Sequence, residues 1–115
     1  MRVQGLVFAG VASDDHVALA GFLEAALVVQ AADEDGFRSL TFPNGSVLAL
    51  VPRDWVPPPS DTNLGFLVDD LAAATDELAA LGVEPDGPLQ VGDGFRYRHF
   101  KAPDGRRFEL LERRD

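Results

Sequence analysis

Cysteine is absent from the 115 residues of this sequence. Its absence excludes disulfide bonds, thiolate zinc sites and cysteine nucleophiles. Histidine occurs only twice, at positions 16 and 99, so few imidazole ligands are available for a transition metal. The GxSxG pattern of a serine nucleophile elbow is missing as well, which argues against that class of hydrolase.

Positive charge is scarce relative to negative charge. Ten Lys and Arg residues stand against nineteen Asp and Glu residues, and the formal net charge is −9. Nucleic-acid backbones would be repelled by this balance, so no nucleic-acid partner is expected. A cationic or neutral small ligand is easier to accommodate, although acidic surfaces also serve solubility.

Long apolar runs are missing. The most apolar stretch, VALAGFLEAALVV at residues 17–29, is interrupted by Glu24 and is too short to span a bilayer. The first ten residues contain one Arg and too short an apolar region for a signal peptide. We therefore expect no membrane partner and a cytoplasmic location.

Two helices are predicted, over about residues 14–27 and about residues 70–81. Ser13 or Asp14 is expected to cap the first helix. Gly82 follows the second helix, where a left-handed cap is needed. The expected apolar stripes are Leu19, Phe22, Leu23, Ala26 and Leu27 in the first helix, and Leu71, Ala74, Leu78 and Leu81 in the second.

The predicted strands repeat an order along the chain. FPNGSVLALV at residues 42–51 and APDGRRFELL at residues 102–111 match as a turn followed by a strand, displaced by 60 residues. Each half is predicted as βαβββ. RDWVPPPSDT, at residues 53–62, joins the halves, and its three prolines exclude a central strand or a helix interior. We expect one domain, with module one at about 1–54, a linker at about 55–61 and module two at about 62–115.

The duplicated pattern, together with FLVDDLAAATDELAALGVEP at residues 66–85 and HFKAPDGRRFELLE at residues 99–112, resembles the vicinal oxygen chelate superfamily. This superfamily includes glyoxalases, bleomycin resistance proteins and extradiol dioxygenases. The resemblance implies an α+β fold in which two βαβββ modules form a curved, incomplete eight-stranded barrel, with helices on the convex face and a ligand groove on the concave face. The first helix departs from the family pattern, since Leu23 replaces the usual Tyr and Val28 the usual Gly.

Metal-dependent members of the superfamily carry His or Glu ligands on the first and last strands of each module. The matching positions here are Val7 or Phe8, Ala49, Asn63 and Glu109, depending at the first position on whether Asp14 or Asp15 anchors the helix. Of these, Glu109 is a good ligand, Asn63 offers a weak neutral oxygen, and the others have no ligand atom. We therefore expect no metal and no other cofactor.

Three residues of the last hairpin are candidate functional groups. If Phe100 packs under the helices, Tyr97 and His99 share a face with Glu109 across the hairpin. This set would suit proton transfer by Glu109 and His99, or the binding of a polar ligand. If the alternation has the opposite phase, Arg96, Arg98 and Phe100 occupy that face instead. Glu109 and His99 also have purely structural interpretations, such as pairing of the acid with a neighbouring Arg.

Further ligand-binding candidates are Asn63, Phe8 and Trp55. Asn63 either hydrogen-bonds a ligand or completes the linker turn, and Phe8 lies on the first groove strand. Trp55 either overhangs the groove or is buried at a dimer interface.

The leading functional hypothesis is a metal-independent small-molecule-binding protein that sequesters a drug or natural product. The alternative is a glyoxalase-like lyase or isomerase that uses Glu109 and His99 for acid–base chemistry. Whether the protein is an enzyme is left open by the sequence. A homodimer is expected in either case, from the resemblance and because isologous dimers are the commonest oligomers.

Overall fold

The computed structural model describes residues 1–92 and 94–114. These residues form eight strands and two α-helices. They divide into two compact units. The first unit comprises Val7–Asn63, and the second combines Met1–Leu6 with the segment that starts at Leu64.

The first unit has the predicted βαβββ order. Its elements are β1 (Val3–Ser13, whose first four residues are assigned to the second unit), α1 (His16–Leu27), β2 (Ala31–Asp33), β3 (Arg38–Thr41) and β4 (Val47–Pro52). A 3₁₀-helix at Arg53–Trp55 follows. The strands lie in the order β2-β3-β4-β1, with β1 parallel to β4 and the other pairs antiparallel.

The start and the buried face of α1 differ from the prediction. The capping residue is Asp15, whose side chain accepts a hydrogen bond from the Ala18 N–H, so the prediction of Ser13 or Asp14 was wrong by one or two residues. Ala20 is fully buried, and Leu19 and Leu23 pack beside it. Phe22 is 66% exposed and Leu27 is 48% exposed. The predicted apolar stripe was therefore rotated about the helix axis relative to the face that is buried. Apolar residues lie on both sides of this face, so periodicity alone does not show which of them are buried.

The second unit repeats the order of the first. Its elements are β5 (Thr62–Val68, whose first two residues are assigned to the first unit), α2 (Leu71–Ala80), β6 (Gln90–Val91), β7 (Phe95–Lys101) and β8 (Arg107–Arg113). The strand order is β5-β8-β7-β6, with β5 parallel to β8 and the other pairs antiparallel. The α+β class and the duplicated βαβββ order predicted from the sequence are confirmed.

The core of the second unit lies between α2 and its sheet. Val68, Leu71, Ala74 and Leu110 are buried there. Phe66, Leu78 and Phe100 pack against them. Phe108 stacks between Phe66 and Phe100, with ring centroids 6.1 Å and 5.9 Å away. Burial of these side chains is the main stabilising term of the unit.

Matching turns connect the last two strands of each unit. Gly45 and Gly105 have φ angles of 87° and 90°, in the left-handed region that glycine adopts without strain. In both turns the glycine N–H donates to the carbonyl three residues earlier, at Phe42 and Ala102. The two predicted hairpins are therefore confirmed.

The two helices end differently. Asp70 caps the start of α2, and Gly82 ends it with φ 86° in a Schellman motif, in which Val83 N–H donates to the Leu78 carbonyl. In α1 the left-handed position is occupied by Val28, with φ 54° and a side chain that is 89% exposed. A β-branched residue in this conformation is strained.

Neither α1 nor α2 is long and apolar enough to cross a membrane, within the part of the chain that the structure describes.

We expect Val28→Gly to raise the free energy of unfolding by about 0.5–1 kcal/mol. Relief of the left-handed strain exceeds the added backbone entropy of the unfolded chain, and little packing is lost. The matched change Gly82→Ala should lower it by about 1 kcal/mol, because no atom lies within 4 Å of the new methyl group and only strain is added. Urea unfolding of both variants measures the change in the free energy of unfolding. Changes of the same sign in the two variants would contradict the strain assigned to the left-handed conformation at these caps.

Candidate functional site

The face of β7 and β8 turned away from α2 carries the polar side chains of interest. Phe100 and Leu110 pack under α2, so strand alternation directs Tyr97, His99 and Glu109 to the opposite face. His99 stands directly across from Glu109 in the antiparallel register, and Tyr97 stands across from Leu111. Of the two phases left open by the sequence, the structure adopts the one that brings these three side chains together.

His99 and Glu109 are in direct contact. The Nε2 atom of His99 lies 3.2 Å from an Oε atom of Glu109. The Glu109 side chain is only 3% exposed, whereas that of His99 is 16% exposed. A carboxylate in this position orients the imidazole ring. His99 is therefore better placed than Glu109 to meet a molecule from solution.

Tyr97 completes the cluster. Its ring meets the His99 ring edge-on, with centroids 5.6 Å apart and an interplanar angle of 68°. Burial raises the pKa of Tyr97 above its ordinary value, the negative charge of Glu109 raises this pKa further, and the positive charge of Arg107 opposes both effects. At neutral pH the phenol is therefore a neutral group that both donates and accepts hydrogen bonds.

The equivalent pair in the first unit is not ionisable. Ser39 stands across from Ala49 in the β3–β4 register, 60 residues before His99 and Glu109. Ser39 donates instead to an Oε atom of Glu34, at 3.0 Å. The duplication thus preserves the strand pairing but places the histidine–carboxylate pair in the second unit.

Phe8 and Trp55 lie in an apolar part of the first unit. Phe8 and Phe37 pack against the buried residues Ala12, Ala49, Val51 and Val56. Trp55 is 43% exposed, and its ring lies 5.7 Å from that of Phe37. Sequence reasoning missed Phe37, although it lies 60 residues before Tyr97 and the repeat would have found it. Asn63, the remaining candidate, is 6% exposed and ends this unit.

In the first unit, Phe8 occupies the strand position that Asn63 occupies in the second half of the repeat. The capping residues Asp15 and Asp70 are 55 residues apart, and so are Phe8 and Asn63. Val7, the other option, follows from a cap at Asp14, which the structure does not have. Phe8 has no atom that can bind a metal.

The side chains at the four family positions do not fit a metal that needs three protein ligands. Phe8 and Ala49 lack ligand atoms, Asn63 offers a neutral amide, and the carboxylate of Glu109 is engaged by His99. His16 lies at the start of α1. Within residues 1–92 and 94–114, no three His, Asp or Glu side chains gather closely enough to hold a metal ion.

Two concave spaces in the second unit are not lined by Tyr97 or Glu109. A depression of about 160 Å³ is located near the start of α2, beside Asp69, Asp70 and Glu77. A crevice of about 10 Å³ between α2 and β7 includes His99 in its lining but not Tyr97 or Glu109.

Comparison with known proteins places this chain in a family. The sequence model of the Glyoxalase/Bleomycin resistance protein/Dioxygenase superfamily matches residues 10–110. The chain belongs to this superfamily. The resemblance noted in the sequence to vicinal oxygen chelate proteins is thereby confirmed. No match was found among curated proteins.

Solved structures of similar fold include members of this superfamily. Methylmalonyl-CoA epimerase from Mycobacterium tuberculosis is 22% identical, with a TM-score of 0.76 over 98% of this chain and 90% of that chain. A variant of the Streptomyces coelicolor methylmalonyl-CoA epimerase, in complex with 2-nitronate-propionyl-CoA, is 18% identical, with a TM-score of 0.71 over 99% and 100%. A superfamily member from Vibrio splendidus 12B01 is 18% identical, with a TM-score of 0.66 over 98% and 100%. At these identities the likeness establishes the fold alone.

Tyr97 is the sole tyrosine in the sequence, so its ionisation can be followed directly by tyrosinate absorbance. We expect its titration to lie above the ordinary pKa of about 10. Glu109→Gln should move the titration toward lower pH, because one of the charges that raises the pKa is removed. Because the pKa of Tyr97 is higher in the folded than in the unfolded protein, the neutral phenol contributes to the stability of the fold. This contribution is present below a pH of about 10 and is lost as the pH rises through the pKa of Tyr97 in the folded protein.

A matched control for this titration is Glu112→Gln. It removes a carboxylate from the same strand, and this carboxylate is not among the charges that shift the pKa of Tyr97. An unchanged Tyr97 titration in Glu109→Gln would contradict the placement of Glu109 close to Tyr97.

Proposed function

We propose that this chain binds a small polar molecule through Tyr97 and His99, with Glu109 orienting the imidazole. The observation that carries the proposal is the contact between His99 and a carboxylate that is 3% exposed. Holding a charged carboxylate away from water is unfavourable unless it is paired. Of the two equivalent hairpins, the one formed by β7 and β8 carries the His99–Glu109 pair. Its His99 side chain is a polar group that can recognise a ligand.

The proposed ligand is a cationic or neutral drug or natural product that the protein sequesters. The formal net charge of −9 favours cations over polyanions by long-range attraction. In the first unit, the exposed edge of Trp55 and the apolar cluster around Phe8 are proposed as surfaces for apolar groups of a ligand, and Asn63 as a hydrogen-bonding residue for a ligand. Binding is proposed to be independent of a protein-held metal, because the side chains at the family's ligand positions do not form a three-ligand set.

Thermal unfolding with bleomycin and other cationic natural products tests this proposal. A ligand present at 100 times its Kd should stabilise the protein by about 2.7 kcal/mol. His99→Ala should remove most of this stabilisation, whereas His16→Ala, at the start of α1 in the first unit, should preserve it. Equal stabilisation of both variants would exclude His99 from the binding site, and no stabilisation of the native protein would refute the sequestering function for that panel.

The same protein should contain no stoichiometric transition metal by elemental analysis after purification. Titration with Zn²⁺ or Ni²⁺ should leave its thermal unfolding unchanged, because the family's ligand positions provide one carboxylate and one amide. A tightly bound metal whose affinity falls in Glu109→Gln would contradict metal-independent binding.

A second candidate function is acid–base catalysis of the lyase or isomerase type. A histidine beside a carboxylate, with a neutral phenol against the ring, is an arrangement that can move a proton to or from a bound substrate. The epimerases of similar fold support this candidate only through the fold they share with the chain. Here His99 would exchange the proton with the substrate, while Glu109 would hold the imidazole ring in position.

Proton exchange distinguishes binding from catalysis. Methylmalonyl-CoA incubated with the protein in D₂O should take up deuterium at its acidic carbon if the second candidate is correct. Glu109→Gln should slow this uptake by roughly 100-fold, within the usual range for acid–base groups, and leave folding intact. The control Glu112→Gln should react at the native rate. Uptake at the native rate in Glu109→Gln would exclude this carboxylate from the chemistry.

A homodimer and a cytoplasmic location complete the proposal. Both are supported by the sequence: isologous dimers are the commonest oligomers, and the apolar stretch at residues 17–29 is too short to span a bilayer. Light scattering of the purified protein measures the oligomeric state, and a monomer at micromolar concentration would refute the dimer.

A further inference from the structure

The backbone of β5 passes close beneath the Glu109 side chain. Gly65 of β5 is the register partner of Glu109 in the parallel pairing of β5 with β8. A Cβ atom placed on Gly65 would stand 3.0 Å from both Cγ and Oε1 of Glu109. It would also stand 2.4 Å from a terminal carbon of Leu111. Non-bonded carbon atoms prefer separations of about 3.5–4.0 Å, so a side chain at position 65 requires the Leu111 and Glu109 side chains to move.

The equivalent glycine of the first unit is under no such constraint. Gly10 lies 55 residues before Gly65, as Asp15 lies 55 residues before Asp70, and its register partner is Ala49. A Cβ atom on Gly10 would have its nearest contact at 3.4 Å, with the ring of Phe8. The lack of space thus occurs in the unit that carries Glu109.

We infer that Gly65 is a positioning residue, whose missing side chain allows the Glu109 carboxylate to lie over the β5 backbone and face His99. Glu109 and Leu111 are both 3% exposed, so displacement of either side chain changes its packing. Any side chain at position 65 competes with Glu109 for the same volume. The carboxylate then leaves the place from which it contacts Nε2 of His99. The inference deepens the proposed function and rests on it for its relevance to ligand binding.

The test is Gly65→Ala, read out by two signals that report on Glu109. The first is the tyrosinate titration of Tyr97, which responds to the charge of Glu109. The second is the pair of imidazole nitrogen signals of His99 by NMR, for which His16 is the internal reference. We expect Gly65→Ala to displace the carboxylate toward solvent, which screens its charge. The Tyr97 titration should move to lower pH by at least half of the shift caused by Glu109→Gln, and the His99 signals should move while those of His16 do not.

Gly10→Ala is the matched control, because it adds the same methyl group at the equivalent position of the other unit. It should leave the Tyr97 titration and the His99 signals at their native positions. Movement of both signals in Gly65→Ala but not in Gly10→Ala supports the inference. Any other combination overturns it.

A second variant covers the case in which Gly65→Ala does not fold. Gly65→Ala combined with Leu111→Ala removes the 2.4 Å contact with Leu111 and retains the contacts with Glu109. The Tyr97 and His99 signals should still move in this double variant, relative to Leu111→Ala alone. If the two proteins gave the same signals, Gly65 would accommodate Leu111 and not the carboxylate, and the inference would be wrong.

The outcome also separates this inference from the proposed function. Spectroscopic changes in Gly65→Ala, with no ligand bound by the native protein, would retain the positioning role and refute the binding function. A ligand bound through His99 in the native protein, together with unchanged signals in Gly65→Ala, would support the binding function and refute the positioning role of Gly65.

Discussion

The packing of Phe100 and Leu110 against α2 is the constraint on which the candidate site depends. Burying these two side chains fixes the phase of β7 and β8, because successive residues of a strand point to opposite faces. The other phase would bring His99 and Glu109 into the apolar core and expose Phe100, which is unfavourable on both counts. Tyr97, His99 and Glu109 are therefore held on one face by the core on the other side of the sheet, and the antiparallel register then sets His99 against Glu109.

The duplication separates what the fold requires from what the site requires. Both units keep an aspartate cap, a glycine turn between their last two strands, and a parallel pairing of the first strand with the last. The residues at the equivalent site positions differ completely: Ser39 and Ala49 in one unit, His99 and Glu109 in the other. Caps, turns and pairing stabilise the backbone in either unit. The chemistry of the exposed face can therefore change without loss of the fold, which is why fold likeness to the epimerases does not carry their activity over.

Helix boundaries and faces show where local patterns suffice. Gly82 was predicted as a left-handed cap because the stripe ending at Leu81 is followed by glycine, and the Schellman motif has this geometry. The face of α1 was misplaced because Leu19, Phe22, Leu23 and Leu27 offer two overlapping apolar stripes. Which of them is buried depends on how β3 and β4 present Leu40 and Leu50 to the helix, and no local rule contains that information.

The sequence by itself determined the α+β class, the duplicated βαβββ order and the two hairpin turns, and it reduced the side chains that share a face with Glu109 to two alternative sets. These follow from turn chemistry and from periodicities of 2.0 and 3.6 residues, which are properties of the local backbone. Only the tertiary structure decided that Glu109 is buried, that it contacts His99, and that Gly65 leaves the space in which it lies. The burial of Glu109 and the space beside Gly65 depend on the pairing of β5 with β8, two strands that are far apart in the chain. The contact with His99 depends on the phase in which the core beneath α2 holds β7 and β8.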